Sequence, residues 1–596
     1  MHVGNSFNMD SSYYTVEKGQ QILVSLLKQH GIRKIIASPG TTNITFVASL
    51  QFDSFFEIYS CIDERSAAYQ AIGLAAESGE PVVLTCTGAT ASRNYIPGLT
   101  EAFYRKLPIL AVTATQKENK IGNLSPQVLD RSQQLKDMCV LSEHIAVPRD
   151  ADDEWDATLR LNRAILALSH RGGGPVHINL ATEYNSDFSV KELPVARCIH
   201  RYNHLDSLPI LPEGRIAVIV GNHKVWSDSL TNSIDAFCEA YGAVVFCEHG
   251  GNYAGKYRVY NSILSQQTMC SKPCFDNQLS IHIGEVSSYG LDPVGKAAKS
   301  VWRVNEDGAL RDLYKKLENV FEMTEEEFFT LYTNKAVGNK KAEAELWLKE
   351  CQKTYDELHA LIPDNLPFSN IWIAQKTAHQ LPDNSVLHLA ILNSHRAWTM
   401  FEIPKSIQGQ SFVNTGGFGI DGCMSSAIGG ALAHPNKLHY LVIGDLAFFY
   451  DLNSLGLRHL GNNIRILLVN NGKGTEFRNY HHPAAQFGED ADEFIAAARH
   501  NGNKHTSLIK HYATDLGLEY LSASNKEEYL HNLSVFLTPQ IGPKSIIFEV
   551  FTSNEDESNA LKIIDTLKVE TSVSLLKKVK SIAPEPIIKS ARNILK

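Results

Sequence analysis

The run Tyr440-Leu441-Val442-Ile443-Gly444-Asp445-Leu446, answered after one short element by Asn470-Asn471-Gly472, decides the fold. A short apolar run closed by glycine reads as a buried parallel strand. Residues 448 to 460 carry apolar side chains at helical spacing, and residues 464 to 469 read as the next strand. Asp445 then stands at the carboxyl end of one strand and Asn471 just past the next. In open α/β sheets, ligands bind at that edge. A carboxylate, an amide oxygen and a nearby main-chain carbonyl suit Mg²⁺, which also takes oxygens from a phosphate group. A helix starting at Asp445 turns its positive end toward such an anion. Taken alone, the same residues also make an ordinary strand end and turn.

A second pattern lies far upstream. Residues 61 to 76 read CIDERSAAYQAIGLAA, after a strand-like segment at 55 to 60. Asp63 is placed to cap a helix that Glu64 opens, and Ala67, Ala68, Ala71 and Gly73 permit close packing. An acid in a first turn often does no more than complement the helix dipole. Here it belongs to a longer pattern, with Ser38-Pro39-Gly40 before it and PVVLTCTGAT, residues 81 to 90, after it.

Together SPGTTN (38–43), DERSAAYQAIGLA (63–75), CTGATASRNYIPG (86–98), VNTGGFGIDG (413–422) and GDLAFFYDLN (444–453) resemble the motifs of thiamine diphosphate-dependent enzymes of the 2-oxoacid decarboxylase superfamily. They are most similar to the menaquinone-pathway synthase that joins a succinyl unit from 2-oxoglutarate to isochorismate. The resemblance implies an α/β fold of three doubly wound, mainly parallel domains. These are a pyrimidine-binding domain at 12–190, a central domain at 208–335 and a diphosphate-binding domain at 366–555. A linker helix occupies 338–365, and a basic helical extension follows at 556–596.

The resemblance also implies roles. Glu64 falls on the catalytic glutamate that hydrogen-bonds N1′ of the cofactor and so activates its C2 position. Asp445, Asn471 and the carbonyl of Lys473 fall on the Mg²⁺ ligands. Gly40, Thr87, Gly88, Asn393, Ser394, Gly419, Ile420, Gly422, Gly444, Leu446, Ala447, Gly474 and Thr475 join them in holding thiamine diphosphate. Ile420 is the apolar wedge that keeps the cofactor bent. Because Glu64 and Asp445 sit in different domains, the resemblance implies a homodimer or a dimer of dimers with sites shared between subunits.

The departures bear on the substrate. The synthase holds a substrate rich in carboxylates with arginines, whose forked donors no neutral side chain replaces in kind. At the matching positions this chain has Thr42, Gln116 and Thr415, and the fourth arginine aligns near Trp398, although Arg396 lies two positions earlier. Each lost charge-assisted contact costs about 1.5–3 kcal/mol of binding. New polar groups appear instead, Arg93, His395, Arg396, Glu476 and His481, each also compatible with a solvated loop, while the resemblance places Gln127 on a substrate-contacting glutamine and Phe477 on an aromatic residue near the reacting carbon; with Thr41, Thr42 and Thr415 these are the expected substrate residues. The expectation is a carboligase that decarboxylates a 2-oxoacid donor and passes the acyl unit to an acceptor other than isochorismate, such as a sugar or sugar nucleotide. A plain 2-oxoacid decarboxylase, or the menaquinone-pathway synthase itself, are the alternatives.

Composition agrees. A chain of 596 residues, 43% hydrophobic and 20% charged, is an ordinary globular protein of several domains. A net charge of −9 offers no basic footprint for nucleic acid. No run approaches a membrane span, and the amino terminus lacks a signal-peptide pattern, so a cytoplasmic protein is expected. Only Cys270 and Cys274 stand close among ten cysteines, and Gly221-Asn222-His223 is too short for a dinucleotide fingerprint. The basic, weakly amphipathic stretch at 574–596 has the pattern of a surface helix that packs on the enzyme or touches a membrane or partner.

Overall fold

The computed structural model describes residues 13–131, 134–500 and 506–570. Packing divides the chain into two compact units. Met1–Asn203 with Gly308–Val320 form the first, and His204–Asp307 with Phe321–Lys596 form the second.

The first unit holds a six-stranded sheet ordered Glu57–Ser60, Lys34–Ala37, Val82–Cys86, Ile109–Thr115, Val176–Ala181, Leu141–Ile145. Every described pair in it is parallel. Alternate residues point to opposite faces of a strand, and the core follows that rule. Ile35 and Val83 pack beneath the helices Lys18–Gln29 and Ala151–Ala167. Ile36, Val82 and Leu84 pack beneath Glu64–Ser78 and Ile96–Tyr104 on the other side. Ala67, Ala68 and Ala71 are fully buried there, as their size allows. A Cβ on Gly98 would stand 2.5 Å from that of Ala68, so the two helices meet at backbone distance.

The second unit holds two sheets. One contains the parallel strands Arg258–Val259, Val244–Cys247, Ile216–Val220, Leu279–Ile283 and Ser300–Val304, in that order. The other runs Ser411–Val413, Val386–Leu389, His439–Gly444, Ile464–Asn470, Ile546–Phe551, Glu519–Ala523. Counted in chain order, this sheet repeats the strand order of the first unit's sheet, 2-1-3-4-6-5. The helix Lys341–Ala360 occupies the expected linker.

Three expectations are corrected. Gly308–Val320 was expected in the central domain but packs with the first unit. Arg197 there pairs with the buried Asp312 at 2.7 Å, and Leu310 and Leu317 share a core with Leu159 and Ile199. The helix expected at 448 to 460 is instead Asp445–Tyr450 followed by a 3₁₀ turn, Leu452–Gly456. It breaks at Asp451, whose carboxylate accepts from the Ser425 N–H at 2.5 Å and the Ser425 hydroxyl at 2.6 Å. The extension expected from 556 begins inside the helix Asn554–Asp565, whose Glu557, Ala560, Leu561 and Ile564 are buried. The remainder, 571–596, and the membrane contact expected of it lie outside the described residues.

Candidate active site

In the first unit, strand register lines up three loops. Ala37 pairs with Ser60 on one side and Thr85 on the other. The next residues of each strand therefore leave the carboxyl edge side by side: 38 to 42, 61 to 64 and 86 to 88. This is where neighbouring connections diverge in a doubly wound sheet. Thr42 and Thr87 bring their hydroxyls to 2.5 Å, and the Gly88 N–H donates to Thr42 Oγ1 at 2.9 Å. A Cβ on Gly40 would fall 2.4 Å from Thr87 Cβ, so glycine is required for this contact. Gln127 adjoins the same loop, its carbonyl 3.5 Å from where a Gly88 Cβ would stand.

Glu64 opens its helix half-exposed, behind the Asp63 cap, whose side chain accepts from the Ser66 N–H. Beneath lie Cys86, its thiol pushed up to about 12 by burial, and Tyr95, also raised by burial; Glu64's charge adds to both. A residue that motif reading missed stands beside them. Arg131 is 2% exposed, donates Nη2 to the Ala114 carbonyl at 2.9 Å, and sits 3.6 Å from a Gly88 Cβ position. No local pattern in its sequence announces it.

In the second unit the analogous edge holds a cavity of about 190 Å³ lined by Asn393, Ser394, Ile420, Gly444, Asp445, Leu446, Ala447, Asn471, Lys473, Gly474, Thr475, Glu476 and Phe477. The structure thus brings together thirteen of the expected residues. Asn370, not expected, lines it too. Register explains the meeting: Gly444 pairs with Val469, so Asp445 and Asn471 leave adjacent strands at nearly the same level.

Asp445 is 2% exposed and accepts from the Gly472 N–H at 3.2 Å. Asn471 Oδ1 is buried without a hydrogen-bond partner. Its amide is turned by Glu557, a buried carboxyl pushed up to about 7 by burial against hydrogen bonds from Thr552, the Asn370 N–H and Asn471. A buried, unpartnered amide oxygen beside a buried carboxylate is the donor set a hard cation takes. The residues present therefore fit Mg²⁺. Among the described residues no three His, Cys, Asp or Glu side chains gather as ligands.

Arg396 does not line this cavity; it sits in a small adjoining cleft with Asn370, Asn393, Asn479 and Glu557. Its Nη1 and Nη2 grip Glu476 at 2.8 and 2.9 Å, and Nη1 also donates to Asn393 Oδ1 at 3.1 Å. Burial would raise the Glu476 carboxyl, but Arg396, with His481 and His482, holds it below the usual range. Burial and Arg396 lower His481, against Glu476. Phe477 packs edge-on against His482, ring centroids 5.3 Å apart.

Other expected residues stand apart. His395 is 5% exposed and turns toward Glu248 at 4.0 Å. Thr415 donates to the Val286 carbonyl at 2.5 Å and accepts from Asn222. Both line a small cleft toward the middle sheet rather than the cavity with Asp445. Gly419 and Gly422 flank Ile420 without lining that cavity. In the first unit Thr41 is exposed, and Arg93 is exposed with its guanidinium 3.4 Å from the Asp130 carbonyl. A larger cavity, about 700 Å³, opens at the ends of Ile216–Val220 and Leu279–Ile283 and holds none of the expected residues.

Residues 17–136 match the thiamine pyrophosphate enzyme, N-terminal TPP binding domain family. A 2-succinyl-5-enolpyruvyl-6-hydroxy-3-cyclohexene-1-carboxylate synthase of Phocaeicola vulgatus is 32% identical over 575 residues, covering 92% of this chain and 98% of that protein. The chain belongs to this synthase family. The Bacteroides fragilis synthase is 29% identical over the same share of each chain. Among solved structures, a thiamine diphosphate-dependent 4-hydroxybenzoylformate decarboxylase of Rhodococcus jostii RHA1 covers 90% of this chain at 15% identity and a TM-score of 0.38, too loose a match to bear on chemistry. Membership of the synthase family makes this a thiamine diphosphate-dependent enzyme that forms or breaks C–C bonds. It carries the three parallel-sheet α/β domains expected of that class. No described helix is long and apolar enough to cross a membrane.

Proposed function

We propose that the protein is a Mg²⁺- and thiamine diphosphate-dependent carboligase that takes its acyl unit from a 2-oxoacid and delivers it to an acceptor richer in hydroxyls than in carboxylates. Asp445, Asn471 and the Lys473 carbonyl hold Mg²⁺, and Gly444 to Ala447 with Gly474 and Thr475 hold the diphosphate. Bound there, the cofactor supplies a carbon nucleophile and an electron sink. Glu64 holds a proton at the aminopyrimidine N1′. Ile420 and Phe477 keep water from the reacting end of the cavity.

One observation carries the acceptor assignment. Thr42, which replaces an arginine, has its hydroxyl bonded to Thr87 Oγ1 and the Gly88 N–H. Thr415, which replaces another, is spent on Val286 and Asn222. These positions hold the fold together and present no cation to a polycarboxylate. A neutral acceptor loses nothing by that, whereas a polycarboxylate loses a forked, charged partner at each.

A dimer follows from the same reading, since Glu64 and the Asp445 cluster belong to different units of the chain. Ile62, 85% exposed, and Tyr69, 48% exposed, flank Glu64 with apolar surface that a second copy would cover. All ten cysteines are free thiols, which supports a cytoplasmic setting.

The test is turnover with a panel of 2-oxoacids, with and without candidate acceptors. A coupled product that appears only with a hydroxyl-rich acceptor is expected. Aldehyde and CO₂ formed equally without any acceptor would make it a simple decarboxylase. Efficient use of isochorismate with 2-oxoglutarate would return it to the reaction its relatives are named for.

A further inference from the structure

Glu476, which lines the Asp445 cavity, meets Arg396 of the adjoining cleft, and the two charges cancel. Arg396 presents the forked geometry that binds carboxylates best. Here the fork is already filled, both terminal nitrogens by Glu476 and one of them also by Asn393. Asn479 closes the other side, its Nδ2 donating to Glu476 Oε2 at 3.1 Å and to Asn393 Oδ1 at 3.3 Å. The pair is largely out of water, with side-chain exposures of 21% and 16%. Glu476 also lines the cavity directly, next to Phe477 and Thr475.

We propose that the Arg396–Glu476 pair is a specificity determinant that excludes a second carboxylate from the reacting end of this cavity and admits neutral, hydrogen-bonding groups. An incoming carboxylate meets Glu476, a like charge, before it can reach Arg396. To bind, it must break two charge-assisted hydrogen bonds and leave Glu476 unpaired in a half-dry site. A hydroxyl or carbonyl meets neither cost, because the pair is neutral as a unit and its carboxylate oxygens still accept. Arg396 and Glu476 are therefore positioned to select 2-oxoacids whose tail carries no charge. This rests on the reading of the cavity as the place where the 2-oxoacid reacts.

The pair can be unlocked without changing its shape. Glu476→Gln removes the repelling charge and frees the guanidinium. Calorimetric titration of the full-length protein, without cofactor, with glutarate as a dicarboxylate probe should show binding at least about 10-fold tighter in E476Q than in the wild type. Adding Arg396→Met to E476Q should abolish that gain. The swapped pair, Arg396→Glu with Glu476→Arg, restores neutrality and should bind glutarate as weakly as the wild type. In the loaded enzyme, E476Q should shift the ratio of kcat/KM for 2-oxoglutarate over 2-oxobutanoate by about 10-fold toward the dicarboxylate. Thermal melts report folding, and Glu476→Ala serves the same end should the amide perturb it. Equal glutarate affinity in the wild type and E476Q, or a gain that survives loss of Arg396, overturns the proposal. Isochorismate turnover by the wild type with an uncharged 2-oxoacid donor would sink the acceptor assignment and leave the glutarate comparison standing, whereas efficient use of 2-oxoglutarate as donor would overturn this proposal as well.

Discussion

Thr42 and Thr87 bring their hydroxyls to 2.5 Å, tying the loops that leave two neighbouring strands of the first sheet. Only a glycine at position 40 lets those loops close, because a Cβ there would lie 2.4 Å from Thr87 Cβ and 2.9 Å from its Cγ2. Gly40→Ala should destabilise the fold by about 1–3 kcal/mol through overpacking. Gly73, exposed in the helix that Glu64 opens, has nothing within 4 Å of its Cβ position. Gly73→Ala should stabilise the protein by about 0.5–1 kcal/mol, from helix propensity alone. Scanning calorimetry of both variants decides, and a shift of the same sign in the two would contradict the geometry.

Glu64 stands at the first position of its helix, half-exposed, with the capping work done by Asp63. Glu64→Gln should therefore cost little stability, about 0.3–1 kcal/mol of dipole interaction. Turnover should fall by about 100- to 10,000-fold, the usual contribution of a positioned proton carrier. Steady-state rates alongside a thermal melt separate the two effects. Unchanged turnover in a folded variant would falsify the assigned role.

Asn471 presents an unpartnered buried oxygen because Glu557 engages its amide. Glu557→Gln leaves the cation's own contacts in place but lets that amide turn. Mg²⁺ binding in the presence of thiamine diphosphate should weaken by about 10- to 100-fold, the cost typical of losing an outer partner of a ligand. Asp445→Ala should weaken it at least as much. Mg²⁺ titration by calorimetry measures both, and removal of metal by a chelator should abolish activity reversibly in the parent.

Acid stability should report the Arg396–Glu476 pair. Burial raises the Glu476 carboxyl, but Arg396 lowers it further, and the net shift is downward from 4.5. A carboxylate that binds its proton less readily folded than unfolded stabilises the fold above the unfolded value. That contribution is complete above pH 4.5 and drains away as the pH falls through the lower folded value. Melts of the wild type and E476Q from pH 7 downward should differ most at the neutral end and converge once the pH has fallen below the lowered folded value. A constant gap across the range would show that the pair contributes no linked protonation.

A homodimer is expected at working concentrations. Sedimentation velocity should give a dimer or tetramer, and replacing Ile62 and Tyr69 by polar residues should shift it toward monomer with loss of turnover. A fully active monomer would rule out a shared site.

Much of this was legible in the chain. Val442-Ile443-Gly444-Asp445 and Asn470-Asn471 mark their strands because strands buried on both faces read as near-continuous apolar runs, with the ligand-bearing residues at or just past their ends. The element between departs from its spacing, since residues 448 to 460 have helical periodicity while the chain turns at Asp451 to serve Ser425. Domain limits blurred for a similar reason. Gly308–Val320 follows a central-sheet strand in sequence but is claimed by Arg197 and Leu159 of the first unit.

Strand pattern points to the α/β class, and motif order carries the resemblance from which the family and its thiamine diphosphate dependence are expected; thirteen of the expected residues line the cavity that holds Asp445. Both depend on short local runs that either bury or do not. Side-chain employment was decided only by the tertiary structure. His395 turns to Glu248, Thr415 to Val286, and Arg396 to Glu476, partners 147, 129 and 80 residues away. A charge or hydroxyl is available to a substrate only if no such distant partner has already taken it, and spacing along a chain cannot express that.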